Sequence, residues 1–424
     1  MSRRSFWLGI AGIAAVGLAL RLVYALLIVK DAPLLGDALE FHLQANALAD
    51  GHGYIQPFLY RATGQLRPSA DKPPLYPLLE AGVSLLGGRS WAWHQLVGVI
   101  AGTGTIVACG AIGRRVAGAA IGVLAAVVAA LYPVLIATDG SLRSESVYAL
   151  AIALSLLAAL RLRERPSAGR AAVLGVAVAA AALVRSEALL LLVLLALPLA
   201  GVRRTLVAGA ACLLVLSPWL ARCWIALDHP VLVSTNVGGL LAGANCDSTY
   251  AGPLLGQWDY ACLPKPRYAN EALESARLRG VGLRYARDHA ARLPVVELAR
   301  LGRSFELFRP RQNADMEAFY EGRDRRVAQT GTLTYYVLAL LAIAGVVTLR
   351  RRHGPWWILV APVVLVAVTT VISYGFTRFR VAAEPGMVVL AAVGVGAGWA
   401  RRQRRTGGAS SRARAVARAA SGAS

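Results

Sequence analysis

Asp37 and Glu40 stand three residues apart in the first long polar stretch, Leu34 to Leu79, which ends in Asp71-Lys72-Pro73-Pro74. A carboxylate in reach of a hydroxyl can take its proton. Lysine offers a phosphate a point charge, and arginine offers it a two-pronged fork. The same residue types recur along the chain. Asp139, Arg143 and Glu145 lie in TDGSLRSES; Arg185 and Glu187 flank a serine; Asn236 and Asn245 sit among glycines; Arg378, Arg380 and Glu384 lie in YGFTRFRVAAEP. Each group borders an apolar segment, where charge is costly unless paired, hydrated or used.

The elements that must position them are apolar helices. Of 424 residues, 57% are hydrophobic, and the mean hydropathy is +0.54. That is the composition of a polytopic membrane protein. The net charge of +22 is almost all arginine, since Lys30, Lys72 and Lys265 are the only lysines. It falls in short clusters at helix ends and in the tail, which argues for a membrane topology signal and against nucleic acid as partner.

Apolar runs predict ten spans: Trp7 to Val29, Trp91 to Ile112, Val116 to Ala137, Ser146 to Leu160, Ala171 to Val184, Ala188 to Ala200, Thr205 to Leu227, Thr332 to Leu349, Pro355 to Tyr374 and Pro385 to Ala400. Arginine clusters mark every second connection, which places both termini in the cytoplasm and the polar groups above on the outer face. Arg3-Arg4 resembles an export signal, but the apolar run is too long for one and reads as an uncleaved first helix. Leu75 to Gly87 is too short for a span and predicts an interfacial helix. Asp37 to Asp50 predicts a second, with Leu39, Leu43, Ala47 and Leu48 as its apolar face. The expected organisation is a transmembrane module over 1–227 with a catalytic first outer loop (31–90), a capping subdomain over 228–331, C-terminal spans over 332–400, and a basic disordered tail over 401–424. Cys109, Cys212 and Cys223 read as packing residues; Cys246 and Cys262 share one polar loop, and spacing leaves their pairing open.

Taken in order, these motifs resemble the GT-C multi-spanning glycosyltransferases, and most of all the protein O-mannosyltransferase and aminoarabinose transferase group. The resemblance rests on the first-loop acid followed by Gly51-His52-Gly53-Tyr54, on Lys72-Pro73-Pro74-Leu75-Tyr76-Pro77, Arg185-Ser186-Glu187 and Ser217-Pro218-Trp219 with Arg222, and on Asn236-Val237-Gly238-Gly239, Gly243-Ala244-Asn245 and Tyr374-Gly375 through Arg380. It implies an all-α GT-C bundle in the plasma membrane that takes sugar from a polyprenyl phosphate and passes it to a protein, lipid or polysaccharide acceptor. By the same resemblance Asp37 matches a catalytic base, with Asp139 or Glu145 as the second acid. Lys72, Arg378 and Arg380 match donor-phosphate positions. Glu40, Arg143, Tyr54, Asn236 and Asn245 are expected around the pocket.

The chemistry is consistent with this. An acceptor hydroxyl attacking an anomeric carbon must lose its proton, and the leaving phosphate gains charge that fixed cations stabilise. No cofactor is expected, because the donor is already activated and no phosphate-binding glycine loop occurs. A divalent metal is not indicated, since His42, His52 and His94 lack ligand spacing. The plainer readings are a solvated loop acid for Asp37, a snorkelling Lys72, nonspecific headgroup contacts for Arg378 and Arg380, and a structural Arg185–Glu187 pair. Two other functions compete: a transporter or flippase of a lipid-linked or anionic substrate, which would carry ionisable residues in mid-helix and an internal repeat, and an inactive scaffold of the same fold.

Overall fold

The computed structural model describes residues 1–399 and is helical throughout, with one isolated antiparallel bridge, Ile55 to Pro68, among the described residues. The tail expected to be disordered, and the last residue of the expected final span, lie outside them. The helices are α1 (Arg3–Val23), α2 (Asp37–Ala49), α3 (Pro57–Thr63), α4 (Leu75–Leu85), α5 (Trp91–Ala117), α6 (Ala119–Leu131), α7 (Pro133–Gly140), α8 (Glu145–Glu164), α9 (Ala168–Ala182), α10 (Leu197–Leu227), α11 (Val237–Ala244), α12 (Asp247–Tyr250), α13 (Glu271–Asp288), α14 (Leu293–Ser304), α15 (Pro310–Glu321), α16 (Arg325–Arg351) and α17 (Trp356–Ile372). The last, α18 (Glu384–Trp399), completes the bundle.

Five helical stretches are long and apolar enough to cross a membrane: Arg3–Ile28, Trp91–Ala117, Glu145–Glu164, Ser186–Leu227 and Arg325–Arg351. The pair α6 and α7, bent by 56° where Pro133 starts the second helix, makes a sixth. Leu75–Leu85, Ala168–Ala182, Trp356–Ile372 and Glu384–Trp399 are apolar but shorter. The protein is thus a multi-pass membrane protein, while length and composition alone count fewer spans than the ten expected. One reason is visible: the 42 residues of Ser186–Leu227 form one helical stretch that holds two of the expected spans, with Gly201 leaving helical geometry at φ 70°, ψ 172° beside Arg203-Arg204.

Small residues let the helices approach. A Cβ on Gly122 of α6 would lie 2.6 Å from the Gly110 carbonyl of α5, so only glycine permits that crossing. One continuous core links α1, α5 to α10 and α16 to α18 through Ile10, Ile106, Ile152, Leu174, Leu359 and Val388.

Between α1 and α5, the helices α2 and α4 pack on each other through Phe41 and Tyr76, edge to face at 4.9 Å. The buried face of α2 is Ala38, Phe41, Gln44, Ala45 and Ala47, rather than one built on Leu39, Leu43 and Leu48. Polar Gln44 is buried because its amide donates to the Gly53 carbonyl and accepts from the Ile55 amide, fixing the chain that leads to Lys72. The stretch 228–331 contains α11 to α15. Within it Cys246 and Cys262 are joined in a disulfide.

Candidate active site

Asp37 opens α2. The residue before it, Gly36, takes φ +51°, a conformation that suits glycine. A carboxylate in a first helical turn is favoured by the helix dipole, and Glu40, one turn on, shares its side of the helix. Both acids reach Lys72. Its Nζ lies 3.2 Å from Asp37 Oδ1, 3.4 Å from Glu40 Oε2 and 2.8 Å from Asp71 Oδ2.

The backbone around Lys72 is tied down from three directions. Arg222 of α10 donates to the carbonyls of Ser69 and Tyr54. The Tyr54 hydroxyl donates to the Lys72 carbonyl at 3.0 Å. Glu271 of α13 accepts from the Ala70 amide at 3.0 Å and from the Thr235 hydroxyl. An extended X-Pro-Pro sequence needs such external anchors, because its prolines have no amide hydrogens to donate.

The second oxygen of Asp37 faces arginine. Arg378 Nη1 lies at 2.8 Å and Arg143 Nη1 at 3.5 Å. Arg143 also pairs with Glu321 at 2.9 Å, and Arg378 stands 3.5 Å from Glu321 and 3.9 Å from Glu145. Arg185 joins Glu145 at 3.0 Å and Glu187 at 2.7 Å. Burial raises the Asp37 carboxyl, but Lys72, Arg378 and Arg143 outweigh it and hold it well below the usual carboxylate range. Glu40 behaves oppositely: burial pushes it up to about 8, with Lys72 opposing and Asp71 and Asp37 adding. Glu321 is raised chiefly by burial. At neutral pH Glu40 therefore carries a proton and leaves Lys72 with one anion fewer.

Two cavities of similar size meet at this cluster. One, of about 220 Å3, is lined by Lys72, Arg185, Ser234 and Asn236 with apolar Phe41, Val184, Leu240 and Phe379. The other, of about 240 Å3, is lined by Arg143, Asp259, Tyr260, Met316, Tyr320 and Glu321. Asp37, Trp258, Tyr374 and Arg378 border both. The arrangement can hold an anion with an apolar appendage on one side and a second polar molecule on the other, with a carboxylate between them.

The structure thus brings together Asp37, Glu40, Lys72, Arg143, Glu145, Asn236 and Arg378. Four expected residues are elsewhere. Asp139 is buried against Arg21 at 2.7 Å and lines neither cavity; it lies in α7, inside the bent pair. Arg380 points away from Arg378 because the two lie on the 3-10 turn Thr377–Ala382, where residues two apart diverge. It pairs with Glu384 at 2.7 Å and Glu306 at 3.1 Å, under the Tyr335 ring. Asn245 is consumed by Leu241, Tyr250 and Arg300. Tyr54 supports Lys72 from behind. Glu321, Ser234 and Trp258 escaped the sequence reading, and Tyr374 entered it only as part of the Tyr374-Gly375 motif, with no role in the pocket. Glu321 carries no motif, and only its place in the stretch 228–331 hinted at it. Among the described residues no group of His, Cys, Asp and Glu could hold a metal ion.

Comparison with known proteins supports the class. Residues 71–223 match the family described as dolichyl-phosphate-mannose-protein mannosyltransferase. Among solved structures, the apo oligosaccharyltransferase of Archaeoglobus fulgidus is similar over 96% of this chain and 52% of its own, at 13% identity and TM-score 0.59. The same archaeal enzyme, AglB, in complex with an inhibitory peptide and a dolichol-phosphate is similar at 13% identity and TM-score 0.56, again over 96% of this chain and 52% of that one. ArnT from Cupriavidus metallidurans bound to undecaprenyl phosphate is similar at 15% identity over 93% of this chain and 78% of its own, with a TM-score of only 0.44. No curated protein matches. The chain has the GT-C glycosyltransferase fold, and it spans about half the length of the archaeal enzymes it matches.

Proposed function

We propose that the protein transfers a sugar from a polyprenyl phosphate to an acceptor hydroxyl, with inversion, on the outer face of the membrane. The observation that carries this is the position of Asp37 between the two cavities, bonded to Lys72 on one oxygen and to Arg378 on the other. The cavity with Lys72 and Arg185 takes the donor, its phosphate on the cations and its prenyl chain along Phe41, Leu240 and Phe379. The cavity with Tyr260 and Tyr320 takes the acceptor.

In the reaction the acceptor oxygen attacks the anomeric carbon and its proton passes to Asp37. The bond from that carbon to the phosphate oxygen breaks, and the electron pair leaves on the polyprenyl phosphate. Lys72 and Arg378 stabilise the charge that develops there. A carboxylate held low by three cations is a weak base. When the donor phosphate competes for Lys72 and Arg378, Asp37 is partly released and its basicity rises. Base and donor site are in this way coupled. Arg380, Asp139 and Asn245 act in the scaffold, not on substrate.

The outer-face assignment is supported by the arginine clusters at the opposite helix ends and by the Cys246–Cys262 disulfide, a bond of oxidising compartments. Counting Ser186–Leu227 as two spans about Gly201, together with the bent pair and the shorter α9, α17 and α18, gives ten spans with both termini cytoplasmic. The helices α2 and α4 then lie along the outer interface. The test uses purified protein in vesicles with a labelled polyprenyl-phosphate sugar. Transfer predicts the appearance of sugar-free polyprenyl phosphate; movement of intact donor across the bilayer without release would establish the flippase alternative instead.

A further inference from the structure

A large cavity lies away from the candidate active site, at the arginine-bearing ends of α1, α5 and α8, and measures about 850 Å3. Its floor on α5 is Gly104, Ala108 and Ala111, small residues three and four apart that leave one helix face recessed. Its wall on α8 is Leu150, Leu154 and Leu157, again one stripe. Its mouth carries Arg3, Arg114, Arg115 and Arg161, contributed by all three helices. Arg115 is neutralised by Glu164 at 2.7 Å, whereas Arg3, Arg114 and Arg161 have no carboxylate partner among the described residues. Arg114 lies over the Phe6 ring at 4.6 Å, which fixes it at the rim.

We propose that this groove binds one anionic glycerophospholipid, with the phosphate at the arginines and an acyl chain along α5 and α8. Charge complementarity selects the headgroup, and depth selects the chain. From Gly104 to Arg114 the helix rises about 15 Å at 1.5 Å per residue, about half of a roughly 30 Å hydrocarbon core. The groove is therefore one leaflet deep, matching a phospholipid of that leaflet and not a long prenyl chain. Topology alone calls for arginines at these ends, but not for a recessed small-residue face leading to three unpaired ones. The site does not depend on the reaction proposed above.

The test is retention of lipid by the purified full-length protein, measured by native mass spectrometry against dioleoyl phosphatidylglycerol, dioleoyl phosphatidylcholine and undecaprenyl phosphate. The expected result is one phosphatidylglycerol retained in preference to phosphatidylcholine. Arg3→Gln/Arg114→Gln/Arg161→Gln should weaken it at least about tenfold, as loss of several phosphate contacts implies. A Cβ on Gly104 would already lie 3.2 Å from Leu150, so Gly104→Leu fills the groove with every charge in place and should weaken binding as well. Equal retention of both phospholipids, displacement by undecaprenyl phosphate at equal concentration, or full binding by the Gly104→Leu protein would each overturn the proposal.

Discussion

At the residue scale, two acids from one helical turn behave in opposite ways. Asp37 has cations on both oxygens and stays ionised, while Glu40 shares its one cation with two other carboxylates. With Glu40 titrating at about 8, its ionisation above that pH gives Lys72 a third anion and sets a carboxylate against the donor phosphate. The KM for donor is therefore expected to rise as pH increases through about 8, and Glu40→Gln should flatten that rise; initial rates across pH 6 to 10 (a range of about four units around that value) provide the check. The sign for stability is the same. The folded state binds the Glu40 proton more tightly than the unfolded chain, so ionisation on the way to pH 8 destabilises the fold. Asp139 makes a different prediction. It is paired with buried Arg21, and its removal leaves that charge uncompensated at a cost of about 3–5 kcal/mol. Asp139→Ala should lower the melting temperature sharply, and Arg21→Met/Asp139→Leu should restore much of it, as thermal unfolding in detergent would show. The residue types of the site were legible because charge beside apolar helices is conspicuous. Arg380 could not be told from Arg378 without the 3-10 turn that separates them.

At the element scale, the loop bearing Lys72 is shaped by its anchors. Arg222, Thr235 and Glu271 come from three separate segments and converge on Ser69 and Ala70. The segment bearing Trp258, Asp259 and Tyr260 on the other side is closed by Cys246–Cys262 across 16 residues. Such a loop gains about 3 kcal/mol from its crosslink. Reduction, or Cys262→Ser, is expected to raise the KM for acceptor several-fold while leaving donor affinity close to wild type, measurable by varying each substrate in turn. The helices α2 and α4 were readable from periodicity and length. The buried face of α2 was not, because a glutamine bonded to backbone is hidden from any pattern of apolar residues.

At the scale of the whole molecule, the apolar runs and arginine clusters announce a multi-pass helical protein, and the fold agrees with that of the archaeal oligosaccharyltransferase. Span boundaries were less legible at Pro133, which bends one expected span, whereas Gly201 breaks the helix beside Arg203-Arg204, where the sequence already divides two spans. The orientation proposed here predicts that, in intact cells after mild reduction, a membrane-impermeant maleimide labels Cys246 and Cys262, since Cys109, Cys212 and Cys223 are buried. Labelling only after permeabilisation would reverse the topology. The arrangement of the whole molecule converges on one carboxylate between two cavities, and the most direct measurement is single-turnover transfer from a labelled polyprenyl-phosphate sugar by wild type and Asp37→Asn. The account predicts that the folded variant retains donor but transfers at least about a hundredfold more slowly, the scale of a lost general base; transfer at the wild-type rate would contradict it.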